Sequence, residues 1–171
     1  MRKEAIFLNG VYENVLKNIL EIQEHLPEQI LYLQPYSSER IVHLAENPPS
    51  VDDPVRLMIS VTDDLSHVKY ICEIVGWDDK RQLDGKKFDV LCRIIYGLQW
   101  PEEGVYKKPP NSDKECVNLL YVRRLIKLAK PIYVRELFNS TTNEALSPNR
   151  TTAGGWIYIF NSANDWLDSY K

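Results

Sequence analysis

Aromatic residues beside turns are the first group in this sequence whose types and positions could do chemistry. Trp77 and Trp100 each stand at the end of an apolar segment next to turn residues, where a ring can project into the opening of a pocket and not into the core. A flipped base is held by a flat apolar sandwich with polar groups at its edge, and each stacking contact contributes about 1–3 kcal/mol. Each ring taken singly is also explained as part of a core, because aromatic side chains dominate cores. The base-binding prediction comprises Asn9, Tyr36, Ser60, Trp77, Tyr96 and Trp100.

Basic residues form the second group, and they are concentrated in residues 101–135. This segment holds eight Lys and Arg against four Asp and Glu, a local net charge of +4 in a chain whose formal net charge is −3. Local patches of this kind bind phosphates, and such binding weakens steeply with salt. Charged side chains that protect a strand edge would give the same pattern. The predicted phosphate-binding residues are Lys107, Lys108, Arg123, Arg124, Lys127 and Lys130.

A third group is acidic and supports an alternative chemistry. Asp78-Asp79-Lys80 contains an Asp-x-Lys, and Asp63 or Asp64 stands upstream at a predicted strand end. This arrangement resembles the metal-binding pattern of the PD-(D/E)xK nucleases, in which two carboxylates hold Mg²⁺ and a lysine lies near the attacked phosphate. The same residues are also explained as a polar exit turn after Gly76. The primary interpretation therefore contains no catalytic residue, metal or cofactor, and the nuclease stays as the alternative.

Length and composition set the frame for these sites. The chain has 171 residues, 44% of them hydrophobic and 26% charged, which is enough for one buried core and predicts a single domain over 1–171. The apolar runs are shorter than the ~20 residues of a membrane span, and residues 1–20 lack the pattern of a signal sequence. We therefore expect a cytoplasmic protein with no membrane partner.

Hydrophobic periodicity predicts the elements that must position these residues. A strand at Ala5–Leu8 precedes a helix from Val11 to Leu26 with Asn9 as its N-cap, and a second strand covers Ile30–Leu33. The central hairpin has strands Arg56–Val61 and Val68–Val75. An insert at about 81–114 follows, then strands at Val117–Val122 and Gly154–Phe160, with a separate element begun by Pro131. The order predicts an α+β fold, a small closed or nearly closed β-barrel with helices covering its ends.

Three stretches carry a resemblance to a known superfamily. They are the strand-to-helix turn Phe7–Gly10, the core strand Tyr70–Asp78, and the late basic run Tyr121–Leu137 with its proline. Together they resemble the PUA-like superfamily, and most closely its EVE and YTH branches. The resemblance implies a small barrel that binds DNA or RNA and holds one modified base in a pocket, with a separately encoded nuclease as a partner.

The expected function is therefore recognition and not catalysis. We expect a nucleic-acid-binding domain that reads a modified or flipped base. The alternatives are the Mg²⁺-dependent nuclease and a protein-interaction or oligomerisation module that uses the aromatic surface.

Overall fold

The computed structural model describes residues 2–27, 30–33, 44, 46–79, 118–147 and 155–161. The predicted insert at about 81–114 lies outside these residues. The elements, in chain order, are β1 Glu4–Val11, α1 Glu13–His25, β2 Leu31–Leu33, β3 Val55–Val61, β4 His67–Asp79, β5 Asn118–Tyr133, a 3₁₀ turn Val134–Glu136 and β6 Gly155–Phe160.

One mixed sheet contains all six strands. Its order is β2-β5-β4-β3-β1-β6, with β1 and β3 parallel and the other neighbours antiparallel. The predicted α+β class is confirmed as a mostly β structure with α1 packed on the sheet. The predicted closed barrel is not confirmed. Across the described residues the sheet is open, with β2 and β6 at its two ends.

A short segment after β5 meets the outer edge of β6. Asn139 forms an isolated antiparallel bridge with Ile159. The Ser140 N–H donates to the Tyr158 carbonyl at 3.1 Å, and the Phe160 N–H donates to the Phe138 carbonyl at 3.0 Å. This edge of the sheet is therefore partly covered. Its backbone groups form hydrogen bonds within the chain and are not available to pair with a strand of another molecule.

Both faces of the sheet are buried, which explains why β1 is apolar at successive positions. The helix-side core lies under α1, whose Leu16 and Ile19 are buried against residues that include Ile6, Leu8, Leu57, Ile59, Tyr70 and Ile74. The far-side core contains Phe7, Met58, Ile71, Ile157 and Ile159, and it is covered by Leu128, Ile132, Val134, Leu137 and Leu146. Strand β5 contributes to both cores, with Leu120, Val122 and Leu125 on the helix side and Leu128 and Ile132 on the far side.

The helix begins later than predicted. Residue Asn9 still belongs to β1, and the N-cap of α1 is Tyr12, which makes no side-chain capping bond. Between Leu8 and Val11 the register against β3 shifts, and Gly10 has φ 78°, a conformation that glycine adopts without a steric penalty. The predicted N-cap role of Asn9 is therefore wrong.

Two strands run further than the sequence predicted. The Gly76–Asp79 segment continues β4 and is not an exit turn, because it pairs with Asn118–Tyr121 of β5. The proline at Pro131 does not begin a new element, since β5 runs unbroken to Tyr133. Pro131 is tolerated because it lies in a bulge and donates no ladder hydrogen bond. No helix in the described ranges is long and apolar enough to cross a membrane.

Candidate nucleic-acid interface

The first feature of the candidate interface is a bulge in β5. The partners Ile71 with Ile126 and Glu73 with Arg123 leave Cys72 opposite two β5 residues, Arg124 and Leu125. The backbone of Arg124 has φ 53°, and its side chain is 60% exposed. The left-handed region costs a non-glycine residue roughly 1–2 kcal/mol. The fold therefore holds this cation outward in a strained backbone conformation.

A second, wider bulge follows on the same strand. Tyr70 pairs with Lys127 and Val68 with Ile132, so Lys69 alone faces β5 residues 128–131. The side chain of Lys130 lies exposed in this bulge, and that of Lys127, between the two bulges, is 55% exposed. Bulges re-aim side chains and are frequent next to functional sites. Three of the predicted phosphate-binding cations thus project from one irregular strand.

The fourth β5 cation is held differently. The Arg123 Nε donates to Glu73 at 2.7 Å and a terminal nitrogen donates to the Val51 carbonyl at 2.8 Å, and the side chain is only 14% exposed. By contrast, Arg124 reaches Glu73 only at 3.5 Å and Lys127 reaches Glu13 at 3.6 Å. Exposed ion pairs contribute at most about 1 kcal/mol, so these two cations can turn to a phosphate at small cost. Arg123 is better explained as a structural tie between β4, β5 and the loop before β3.

Lys127 lies over a small polar network at the start of α1. The Tyr70 hydroxyl donates to Glu13 Oε1 at 2.8 Å, and Lys127 Nζ lies 5.7 Å from the Tyr70 ring centroid. Burial, with the Glu13 carboxylate, raises the pKa of Tyr70 to about 12. The hydrogen bond from Tyr70 lowers the pKa of Glu13. The carboxylate therefore stays ionised, and its charge reduces the attraction of Lys127 for a phosphate.

The structure brings two predicted base-contact residues together. The Ser60 hydroxyl donates to Asn9 Oδ1 at 3.0 Å and accepts the Gly10 N–H at 3.1 Å, and both side chains are buried. Each follows a residue of the helix-side core, Leu8 or Ile59, so strand alternation points both to the far side. The half-buried Trp77 packs against the helix-side core instead. The sheet therefore separates Trp77 from the Asn9–Ser60 pair.

The other predicted contacts lie outside the residues that the structure describes. These are Tyr36, Tyr96, Trp100, Lys107 and Lys108. A cavity of about 520 Å³ opens beside the start of β1, with Arg2, Leu44, Val55, Tyr158 and Phe160 among its lining residues. Arg2 is tied to the Asn47 and Pro48 carbonyls and to Asp53. Neither Trp77 nor the Asn9–Ser60 pair lines this cavity.

The carboxylates of the nuclease alternative stand far apart. Asp64 lies in the turn before β4, and Asp78 lies near its end, where its carboxylate accepts a hydrogen bond from Tyr121. From His67 to Asp78 the strand advances by eleven residues, which spans on the order of 30 Å. Ligands of one Mg²⁺ lie about 2.1 Å from it, so these two carboxylates cannot share an ion. Among the described residues, no group of three or more His, Cys, Asp or Glu could hold a metal.

The turn between β3 and β4 contains Ser, His and Asp without forming a hydrolytic triad. The Asp64 carboxylate oxygens and the Ser66 hydroxyl all lie 3.0 Å from the same ring nitrogen, His67 Nδ1. A triad needs its serine and its acid on opposite ring nitrogens. This network instead fixes the turn.

Asp64 should make the turn sensitive to acid. Partial burial acts to raise the pKa of Asp64, but hydrogen bonds from His67, Ser66 and Lys69 outweigh it and lower the pKa to about 2. Because the folded pKa lies below the unfolded value, the stabilisation is complete above pH ~4 and is lost as the pH falls towards 2. We expect Asp64→Asn to lower the free energy of unfolding by about 1 kcal/mol at neutral pH, after allowance for solvent screening.

The measurement is urea unfolding of Asp64→Asn and wild type at several pH values. The difference between the two proteins should shrink between pH ~4 and pH ~2. The exposed neighbour Asp63, changed to Asn, is the control. A difference that stays constant down to pH 2 would show that the carboxylate charge does not stabilise the turn.

One surface group was not among the predicted site residues. Tyr133 ends β5 and is 44% exposed, with the His67 ring at a centroid distance of 4.4 Å and the Arg135 guanidinium carbon 4.8 Å from its ring centroid. The sequence does contain one indication of this site, because Tyr133 is an aromatic residue close to Lys130 and Arg135 in the basic segment. The partner His67 stands 66 residues earlier in the chain, and nothing in the local sequence indicates the contact.

Comparisons with family models, with curated proteins and with solved structures found no match to this chain.

Proposed function

We propose that this chain is a nucleic-acid-binding domain of PUA-like type that recognises a modified or flipped base in DNA or RNA. The observation that carries the proposal is the pair of bulges on β5, which project Arg124 and Lys130 with Lys127 between them. Among the described residues, no strand pairs with the outer side of β5 beyond Val122, so these cations lie along an edge of the sheet. Arg124 turns to Glu73 on the far side and Lys127 to Glu13 on the helix side, and an edge that carries cations on both faces suits a polyanion whose charges repeat along a line. The chain as a whole is acidic, so a local patch is the only way it can attract such a polymer.

The strained backbone of Arg124 also supports a phosphate interface on β5. A strand residue with positive φ other than glycine, asparagine or aspartate is uncommon, and observed strain is a legitimate starting point for a functional hypothesis. A glycine at this position would relieve the strain, and a regular strand would avoid it. An arginine at this position is useful if its guanidinium must stand clear of the sheet to meet a phosphate.

The PUA-like part of the proposal draws support from the sheet ends. In order around the sheet, β5, β4, β3, β1 and β6 are neighbours, and segment Phe138–Ser140 after β5 bonds to β6. Backbone contacts thus run from β5 through the sheet and back to the chain just beyond β5. The far-side core fills the space between the sheet and the segment that follows β5. Such an arrangement is compatible with the nearly closed barrel of that superfamily.

Trp77 is the described residue that best suits base stacking. Trp77 is only half-buried near the end of β4, whereas Asn9 and Ser60 are buried and bonded to each other on the opposite side of the sheet. A base edge could reach Asn9 and Ser60 only by entering the buried far side of the sheet. The proposal therefore assigns stacking to Trp77, with Tyr36, Tyr96 and Trp100 as further candidates, and assigns Asn9 and Ser60 to joining the ends of β1 and β3.

The test is fluorescence anisotropy with labelled modified and unmodified oligonucleotides at two or more salt concentrations, with and without Mg²⁺. Each lost phosphate contact should reduce the slope of log K against log salt by about 0.7 on a single strand and about 0.9 on a duplex. We expect Lys130→Ala to reduce the slope by this amount. The matched control Lys3→Ala removes an exposed lysine at the start of β1 and should leave the slope unchanged.

Two variants of Arg124 separate charge from backbone strain. Arg124→Ala and Arg124→Gly should weaken binding equally, because both remove the guanidinium. Only Arg124→Gly should also gain stability, by up to about 1 kcal/mol, since it removes the left-handed penalty. Binding by wild type that does not respond to salt or to these variants would refute a phosphate interface on β5.

The same assay distinguishes the remaining functions. Modification-dependent binding that is lost in Trp77→Ala, in a variant that still unfolds cooperatively, would support the reader. Mg²⁺-dependent cleavage that is lost in Asp79→Ala would support the nuclease. Absence of binding to every polymer would leave the protein-interaction module.

A further inference from the structure

Tyr133 lies in a stacked group on the exposed end of β5. The His67 ring is tilted by 43° against it at a centroid distance of 4.4 Å, and the Arg135 guanidinium lies 4.8 Å from its centroid. Tyr133 as a residue is 44% exposed. A large aromatic side chain that is both fixed and exposed is a surface on which a planar ligand can stack.

The neighbours of Tyr133 hold its position. His67, its partner in the β4–β5 register, is held by the Asp64 carboxylate, with Nδ1 3.0 Å from each oxygen. The next residue, Val134, donates its backbone N–H to the Ser66 carbonyl at 2.9 Å. A ring held by His67 on a backbone that is itself hydrogen-bonded loses little freedom when a ligand binds, which favours affinity.

Two exposed cations lie close to Tyr133 along the chain. The α-carbon of Lys130, three residues earlier, cannot lie more than roughly 11 Å from that of Tyr133. Arg135 follows two residues later and is exposed. The nearby acids are Asp64, which is bonded to His67, Ser66 and Lys69, and the exposed Glu136. A flat apolar surface beside positive charge matches one base and its phosphates.

We infer that Tyr133 is a stacking surface for an unpaired base of a single-stranded segment whose backbone follows Arg124, Lys127 and Lys130. The inference rests on the proposed function and gives it a preferred polymer state. In a duplex both faces of each base are covered by neighbouring pairs, so only an unpaired base can use the ring. Arg135, whose exposed contact with the ring is weak, turns to an adjacent phosphate.

The experiment measures anisotropy of labelled oligonucleotides of about 12 nucleotides, a length within the usual range of single-strand sites. The probes are single-stranded DNA, single-stranded RNA and a DNA duplex of the same sequence. We expect Tyr133→Leu to weaken single-strand binding about 5- to 30-fold without changing the salt slope, because stacking is lost and charge is kept. Tyr133→Phe should bind as wild type does. The DNA and RNA arms show which polymer is preferred.

The control and a second readout make the result independent of folding. Tyr12→Leu removes a tyrosine that is 69% exposed at the start of α1, and it should leave binding unchanged. If Tyr133→Leu fails to fold, Tyr133→Trp provides a fluorophore at the site, and its added fluorescence should be quenched by the single strand and not by the duplex.

Three outcomes would overturn the inference. Wild-type binding that Tyr133→Leu leaves intact, or an equal loss on duplex and single strand, would refute the stacking role while the proposed function stands. Unquenched fluorescence in Tyr133→Trp with bound single strand would do the same. Wild type that binds no nucleic acid at all would remove the proposed function together with this inference.

Discussion

Gly76→Ala is expected to lower the free energy of unfolding by about 2 to 3 kcal/mol, although it adds a single methyl group. A β-carbon at this position would stand 2.6 Å from Cδ2 of Tyr121, the residue that pairs with Gly76 across β4 and β5. The ring cannot move away freely, because its hydroxyl donates to the Asp78 carboxylate on the same strand as Gly76. The methyl group therefore forces either the ring or the strand to shift.

A double-mutant cycle checks this explanation. Urea unfolding is measured for wild type, Gly76→Ala, Tyr121→Val and the double variant. Valine removes the ring and keeps strand propensity, so the cost of Gly76→Ala should fall by at least about 1.5 kcal/mol in that background. If the effects of Gly76→Ala and Tyr121→Val on the free energy of unfolding add, the alanine does not clash with the Tyr121 ring and destabilises the protein for another reason.

Apolar patterning was enough to predict most of the fold. The predicted β1, α1, β3–β4 hairpin and β6 lie close to their observed positions, because each has a continuous apolar run or a clear helical spacing. These runs are apolar because both faces of the sheet are buried. The parallel pairing of β1 with β3 was not predicted, since strand order depends on contacts between distant residues.

The end of β4 could not be predicted from local signals. Gly76 followed by Asp78 and Asp79 has the composition of a turn, and this composition predicts an exit turn after the strand. In the fold the glycine is required by the Tyr121 ring and Asp78 by the Tyr121 hydroxyl. Tertiary partners 43 residues or more away therefore convert a turn-like sequence into strand.

The candidate interface was predicted in part for a similar reason. Arg124, Lys127 and Lys130 are close in sequence, so their grouping follows from belonging to one strand. The different state of Arg123 depends on Glu73, 50 residues away, and could not be inferred from the basic run. The first bulge, which turns Arg124 outward, contains no glycine that could have indicated it, whereas Pro131 marks the second bulge.

The second large effect is expected at Gln23, the side chain that joins α1 to the first bulge of β5. Its Nε2 donates to the Leu125 carbonyl at 2.9 Å, and its Oε1 accepts the Leu125 N–H at 2.7 Å. A bulge leaves backbone groups without ladder partners, and Gln23 supplies both partners for Leu125. We expect Gln23→Leu to cost about 2 to 4 kcal/mol, because two partly buried backbone groups lose their hydrogen bonds.

Urea unfolding and amide exchange check the role of Gln23. The Leu125 amide should exchange faster in Gln23→Leu, and Gln23→Glu should fall between that variant and wild type, since it keeps only the acceptor. Glu21→Leu also introduces a leucine into α1, at an exposed position, and is the control for helix propensity. A cost below about 0.5 kcal/mol would mean that water replaces Gln23. Because Leu125 follows Arg124 in this bulge, Gln23→Leu should also weaken nucleic-acid binding through Arg124 alone, so the loss should disappear in the Arg124→Ala background.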